Sequence, residues 1–303
     1  MKKRIRRVVS ELFVAFGILL AGWKAAEGWL ESSARKNSLE SSAELHFIDV
    51  GQGMAVLVES EGEFMLVDGG GYESADSLLA YLKTEGVDEL EYLVISHYDL
   101  DHLYGAVCVL EEYEVEQVLC PEYEADSETW KRFRAVAASR EAERRESGEE
   151  PLVRHPEPGD DFALGHSVFT VVSPVQKNYA EENNFSLGIR LVYGDVSFLM
   201  MGDAEIESEY DVCDSGLELK STVYMVNHHG SNSSSSQQLL KAVRPEFAVI
   251  SCGLNNDYGH PAERVLERLQ EFGVIVYRTD RQGSILAVTD GEKIEWSVEE
   301  EWN

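Results

Sequence analysis

The chain is poor in cysteine and in positive charge. Its 303 residues include only Cys108, Cys120, Cys213 and Cys252, with no C-x-x-C pair. That spacing excludes the usual zinc-finger pattern. Cys108, Cys120 and Cys252 lie in or beside apolar runs and read as small buried hydrophobes. Against 56 acidic side chains stand 26 lysines and arginines, a formal net charge of −30. Such a chain repels polyanions at long range and attracts cations. Diffuse nucleic-acid binding, which depends on neutralising many phosphates, is disfavoured, although a local site could still handle a phosphodiester. Long apolar runs are also missing: residues 12–23 are short for a membrane span. Neither Ser96 nor Ser231 sits in a G-x-S-x-G context, so covalent serine chemistry has no support. Length and a hydrophobic share of 44% are those of an ordinary globular chain with a substantial core.

What is present begins with a leader. Lys2, Lys3, Arg4, Arg6 and Arg7 precede the apolar run, the order of a signal peptide or signal anchor. Residues 1–30 hold six basic and two acidic side chains, so the remainder is more acidic still. The expectation is a membrane-contacting targeting segment over 1–30, a Ser-rich charged linker over 31–43 and one extracytoplasmic domain over 44–303. Strands are predicted over 45–50, 54–59 and 63–67, followed by a helix ending at Gly86 and a buried strand ending at Ile95. A strand over 115–120, a charged helix over 126–145 and a loop over 149–161 come next. Strands follow over 166–173, 187–193 and 196–201, the last two joined by the Gly194-Asp195 turn. From residue 223 strands alternate with helices predicted over 233–243 and from Pro261, and three strands close the chain. The opening β-β-β-α-β order already departs from a doubly wound sheet.

The stretch that organises this pattern is Ser96-His97-Tyr98-Asp99-Leu100-Asp101-His102, with Gly105 three residues on. Four metal-competent side chains fall within six residues, directly after an apolar strand. In an extended segment alternate side chains share a face, so His97, Asp99 and Asp101 would converge, with His102 following at the turn. Two imidazoles and two carboxylates in one knot call for a neutralising cation. Other predicted strands end the same way: Asp68 before Gly69-Gly70-Gly71, Asp203 after Gly202, and His228-His229 before Gly230-Ser231. His155 reads as an exposed loop residue. Recurrent functional groups at strand ends are what a catalytic α/β scaffold offers at its rim.

In this order, Asp68, His97-x-Asp99-x-Asp101-His102, Gly202-Asp203 and His228-His229-Gly230-Ser231 resemble the metallo-β-lactamase superfamily. Within it the chain is similar to the hydrolase-like domain of ComEC-like competence proteins. Phe47-Ile48-Asp49-Val50-Gly51-Gln52-Gly53, Asn184-Phe185-Ser186-Leu187 and Gly259-His260-Pro261 extend the resemblance across residues 44–298. It implies an α/β fold, an αββα sandwich of two mixed β-sheets with flanking helices, and one or two divalent ions (zinc or manganese) at one edge. By position, His97 and Asp99 would serve one ion and Asp101 and His102 the other, with Asp203 bridging. His228 or His229 would complete the second site, His228 being favoured as nearer the strand end. The resemblance gives catalytic roles to Asp101, His102 and His229, and leaves Asp68, Ser231 and His260 to orient ligands or touch substrate. Three departures stand out: Asp99 replaces a histidine common in the superfamily, no histidine occurs near Asn183-Asn184, and Met54 replaces an aspartate usual in competence-type relatives. An oxygen-richer first site favours a harder ion such as Mn²⁺.

Two adjacent cations would lower the pKa of a bridging water and stabilise charge on the attacked centre. The activity so implied is metal-dependent hydrolysis of phosphoester or phosphodiester bonds, DNA included. The alternatives are an amide or lactone hydrolase of the same fold and a metal-stabilised, non-catalytic binding module. Asp99 and the missing histidine count against an efficient β-lactamase.

Overall fold

The computed structural model describes residues 42–299, so the leader and almost all of the expected linker lie outside the described residues. The strands are β1 (Ala43–Phe47), β2 (Val56–Ser60), β3 (Glu63–Val67), β4 (Glu89–Val94), β5 (Glu114–Leu119), β6 (Val153–Arg154), β7 (Asp161–Leu164), β8 (Ser167–Ser173), β9 (Gly188–Tyr193), β10 (Val196–Met200), β11 (Val223–Met225), β12 (Phe247–Ile250), β13 (Ile275–Arg278), β14 (Ile285–Thr289) and β15 (Ile294–Val298). The helices are α1 (Ala75–Thr84), α2 (Leu100–Glu112), α3 (Glu128–Ser147), α4 (Ile206–Asp214), α5 (Gln237–Val243), α6 (Glu263–Glu271) and the single turn α7 (Thr279–Gln282). One sheet runs β15-β14-β1-β2-β3-β4-β5-β6, the other β13-β12-β11-β10-β9-β8-β7. Each is antiparallel in one part and parallel in another: β3 to β6 are parallel in the first, β10 to β13 in the second.

Strand β2 shows why the two sheets stack with helices outside. Val56 and Val58 join Phe169, Leu191 and Phe198 of the other sheet in the central core. Leu57, pointing the opposite way, packs with Leu78, Leu82 and Leu103 of α1 and α2. Successive side chains alternate faces, and a strand apolar on both must be covered on both. Beyond the second sheet, Leu199, Tyr224 and Ile250 meet Val212, Leu239 and Val265 of α4, α5 and α6. The result is the αββα sandwich of two mixed sheets. Among the described residues no helix is long and apolar enough to cross a membrane.

Several local expectations change. Helix α2 was not foreseen, and it begins inside the 96–102 motif, so Asp101 and His102 ride on its first turn rather than on an extended segment. Asp99 keeps extended dihedrals (φ −68°, ψ 150°) and the chain winds after it. Leu103, Ala106, Val107 and Leu110 supply the buried helical stripe. The 149–161 loop contains β6, which exists because Leu152 and Arg154 carbonyls accept the Val118 and Cys120 amides of the β5 edge. Helix α5 starts late, at Gln237, because Ser236 rather than Ser233 caps it by accepting the Leu239 N–H. Helix α6 likewise begins at Glu263, after Ala262.

Two glycines fix the position of α2. A Cβ on Gly105 would stand 1.9 Å from the Gly69 carbonyl oxygen, and one on Gly69 would stand 2.0 Å from the Ala106 nitrogen. With no side chains, the backbones bond directly: Gly69 N–H to His102 O at 2.8 Å and Gly105 N–H to Gly70 O at 3.1 Å. The segment after β3 thus holds the helix turn that bears Asp101 and His102.

Candidate metal centre

The carboxyl ends of β3, β4, β10, β11 and β12 lie at one edge of the sandwich and lead into Asp68, His97, Asp203, His228-His229 and Ser251. Asp68 is fully buried and organises the first group. Its Oδ1 accepts the Ser96 N–H at 2.7 Å, and its Oδ2 accepts the Ser96 hydroxyl at 2.6 Å and the His102 Nδ1–H at 2.7 Å. Because the Ser96 hydroxyl hydrogen goes to Asp68, its oxygen accepts from His97 Nδ1, 3.0 Å away. On the other sheet, His229 Nδ1 lies 2.9 Å from the Ser251 carbonyl oxygen, which can only accept. Each of these three imidazoles therefore uses its Nδ1–H outward and turns an Nε2 lone pair inward.

These inward atoms meet. His102 Nε2 and His229 Nε2 are 3.2 Å apart. Asp203 Oδ1 is 3.2 Å from His102 Nε2, while its Oδ2 is 3.4 Å from His229 Nε2. Asp101 Oδ2 is also 3.4 Å from His229 Nε2. His97 Nε2 is buried with no hydrogen-bond partner. Lone pairs directed at one another beside two carboxylates, with an orphaned nitrogen in the interior, fit a bound cation. Two ligand groups emerge, sharing His102: His97, His102 and Asp203, and Asp101, His102 and His229, with donor atoms in each within 4.8 Å of one another. Three imidazoles and two carboxylates are donors that zinc or manganese accepts.

Without an ion, protons supply the positive charge. Burial opposes charging His102, but Asp203 and Asp68 outweigh it and hold the imidazole well above its ordinary value. Burial is likewise overcome at His229, where Asp203 and Asp101 raise the pKa to about 9. Desolvation would raise both acids, yet the facing imidazoles keep Asp203 well below the carboxylate range and bring Asp101 to about 2. His260 goes the other way: burial, then the nearby His229 and His228, lower it to about 4.

The structure redistributes the sequence-derived roles. His229, not the favoured His228, enters the inner group; His228 Nε2 stands 3.6 Å from Asp203 Oδ2, and its Nδ1 faces Glu205 at 3.4 Å. Both histidines have left-handed backbone (φ 50° and 54°), which turns the second one inward. Asp99 is half exposed, 3.7 Å from His97 Nε2, and belongs to neither group. Ser231 faces Ser233 at 3.0 Å rather than the ligands. The His260 ring lies 6.2 Å from that of His229 and 5.6 Å from that of His228, and its Nδ1 is buried without a partner. Met54 joins the inter-sheet core.

Two acids were missed. Glu205 accepts the Ser233 hydroxyl at 2.8 Å beside His228; its place two residues after Asp203 was the available signal. Glu209 is fully buried, where it accepts the Asn227 side-chain N–H at 3.0 Å and the Ser235 and Ser236 amides, anchoring the loop that carries both histidines. Nothing in its local sequence distinguishes it from a surface glutamate.

A double-layered sandwich with histidines and aspartates gathered at one edge is the architecture of a metal-binding hydrolase-type scaffold. The model of the metallo-beta-lactamase superfamily matches residues 48–254, and the chain belongs to that family. It is 30% identical to ComE operon protein 3 of Bacillus subtilis over 82% of this chain and 33% of that protein. It is 32% identical to competence protein ComA of Neisseria gonorrhoeae, over 81% of this chain and 32% of that one. Recombination protein 2 of Haemophilus influenzae is 31% identical, over 78% and 28%. The chain thus spans about a third of the length of the curated relatives it matches. Among solved structures, CmlA, a diiron beta-hydroxylase from Streptomyces venezuelae, has the same fold at 14% identity, with a TM-score of 0.53 over 78% of this chain and 52% of that one.

Proposed function

We propose that the chain is a metal-dependent phosphodiesterase that works on nucleic-acid strands on the extracytoplasmic side. The observation that carries this is the pair of ligand groups joined at His102, whose inward nitrogens and carboxylates form a donor set suited to a divalent cation. An ion held by these residues would supply a Lewis acid for a phosphoryl oxygen and a nucleophile at neutral pH. Asp101, ionised and partly open to solvent on the first turn of α2, orients a water toward the attacked phosphorus. Asp68 and the Ser251 carbonyl hold His102 and His229 in the tautomer that presents Nε2. His260 stands beside this group, its ring 5.6 Å from that of His228 and 6.2 Å from that of His229, and lines the approach to the centre.

The competence and recombination proteins among the relatives support a nucleic-acid substrate, and the basic-then-apolar leader supports export. The test is metal analysis of the purified chain followed by hydrolysis of bis-p-nitrophenyl phosphate with Mn²⁺ or Zn²⁺. Asp101→Ala combined with His102→Ala should lower turnover by at least about 100-fold, and His229→Ala should lose more metal than His228→Ala. Full activity in the double variant, or no turnover with either ion, would sink the proposal.

A further inference from the structure

Seven large apolar or aromatic side chains are strongly exposed among the described residues, and four of them (Tyr72, Leu100, Leu254 and Tyr258) belong to segments that border the metal centre. Leu100 lies between Asp99 and Asp101. Tyr72 follows the glycines after β3 and meets Tyr104 of α2 edge-on at 5.2 Å. Leu254 adjoins Gly253, whose N–H reaches the Gln52 side chain at 3.2 Å, while Met54 N–H, two residues on, bonds the Asp101 carbonyl. An apolar rim gathered on one edge of so acidic a molecule marks a contact surface.

Tyr258 gives that rim its chemistry. Its ring stacks on His260 with centroids 5.6 Å apart and planes 22° apart. His260 in turn lies nearly parallel to His229, at 6.2 Å and 28°. A ladder of rings therefore runs from the centre to solvent and ends on a tyrosine that is 72% exposed. An exposed aromatic ring beside a phosphodiester-cleaving centre is a place for a planar group attached to the scissile phosphate. With a net charge of −30, a strand cannot be held by a spread of cations, which leaves stacking as the available mode.

Building on the phosphodiesterase reading, we propose that Tyr258 is a nucleobase platform that seats an unpaired base next to the metal centre. Bases inside a duplex are covered on both faces, so this subsite selects single strands.

The test is binding of a labelled hexathymidylate and of its abasic counterpart to the metal-free full chain, read by fluorescence anisotropy. The base-bearing strand should bind about tenfold more tightly, Tyr258→Ala should abolish that difference, and Tyr258→Trp should keep it. Equal affinity for the two strands, no binding, or a preference that survives Tyr258→Ala overturns the proposal. Tyr258-dependent sedimentation with phosphatidylglycerol vesicles, without any base preference, would overturn it in favour of a membrane surface. Hydrolysis of bis-p-nitrophenyl phosphate by the metal-loaded chain separates the two failures. Inactivity there removes the phosphodiesterase reading while base preference stands or falls by itself.

Discussion

Replacing Asp68 by asparagine tests the logic of the centre without changing its shape. The native carboxylate accepts three hydrogen bonds, from the Ser96 N–H, the Ser96 hydroxyl and His102 Nδ1–H, in a fully buried position. An asparagine oxygen can keep only one side of that arrangement, and its NH₂ would face a donor on the other. If the amide nitrogen faces His102, the imidazole relieves the clash by moving its hydrogen to Nε2, the atom that should meet the ion. The expected loss of metal affinity is about 10- to 100-fold, or about 1.4–2.7 kcal/mol. Ser96→Ala removes one hydroxyl but leaves Asp68 against His102 Nδ1, so its effect on metal affinity should be smaller. Competition titration against a metal chelator, with circular dichroism to confirm the fold, measures both. An Asp68→Asn chain that binds metal as tightly as the parent would refute the tautomer argument.

Two further outcomes follow from the same geometry. Gly105→Ala places a methyl group 1.9 Å from the Gly69 carbonyl oxygen, backbone against backbone, and should cost at least about 1–3 kcal/mol as a lower urea midpoint; an unchanged midpoint would mean that α2 is not held by this contact. His229 carries a pKa raised to about 9, so the stability this proton gives the metal-free chain is complete below pH 6.5 and is lost as pH rises through 9. An entering ion must displace the protons held on His229 and His102, so metal affinity should rise by at least about tenfold per pH unit between 6.5 and 9; a pH-independent affinity over that range would contradict it.

The β-strand pattern, the Gly194-Asp195 hairpin and the placement of histidines and aspartates at strand ends are local signals, and short-range rules read them directly. They were enough for a mixed order of strands and helices and for metal-competent strand ends that include His97, Asp101, His102 and Asp203, while the αββα sandwich was implied by the resemblance to the metallo-β-lactamase superfamily. Helix α2 was legible too, in the spacing of Leu103, Ala106, Val107 and Leu110, but the strand-like reading of the preceding motif obscured it. The choice between His228 and His229 could not be made from spacing. It rests on two left-handed residues and on the Ser251 carbonyl, supplied by a strand 22 residues further on. Nor could sequence show that Asp68 serves His102, 34 residues away, or that Glu209 anchors the histidine loop. The 96–102 motif alone carries ligands for a cation. Only the packing of two sheets at a common edge aims three Nε2 lone pairs and two carboxylates at the same small volume, because convergence of direction is a property of the assembled fold and not of neighbouring residues.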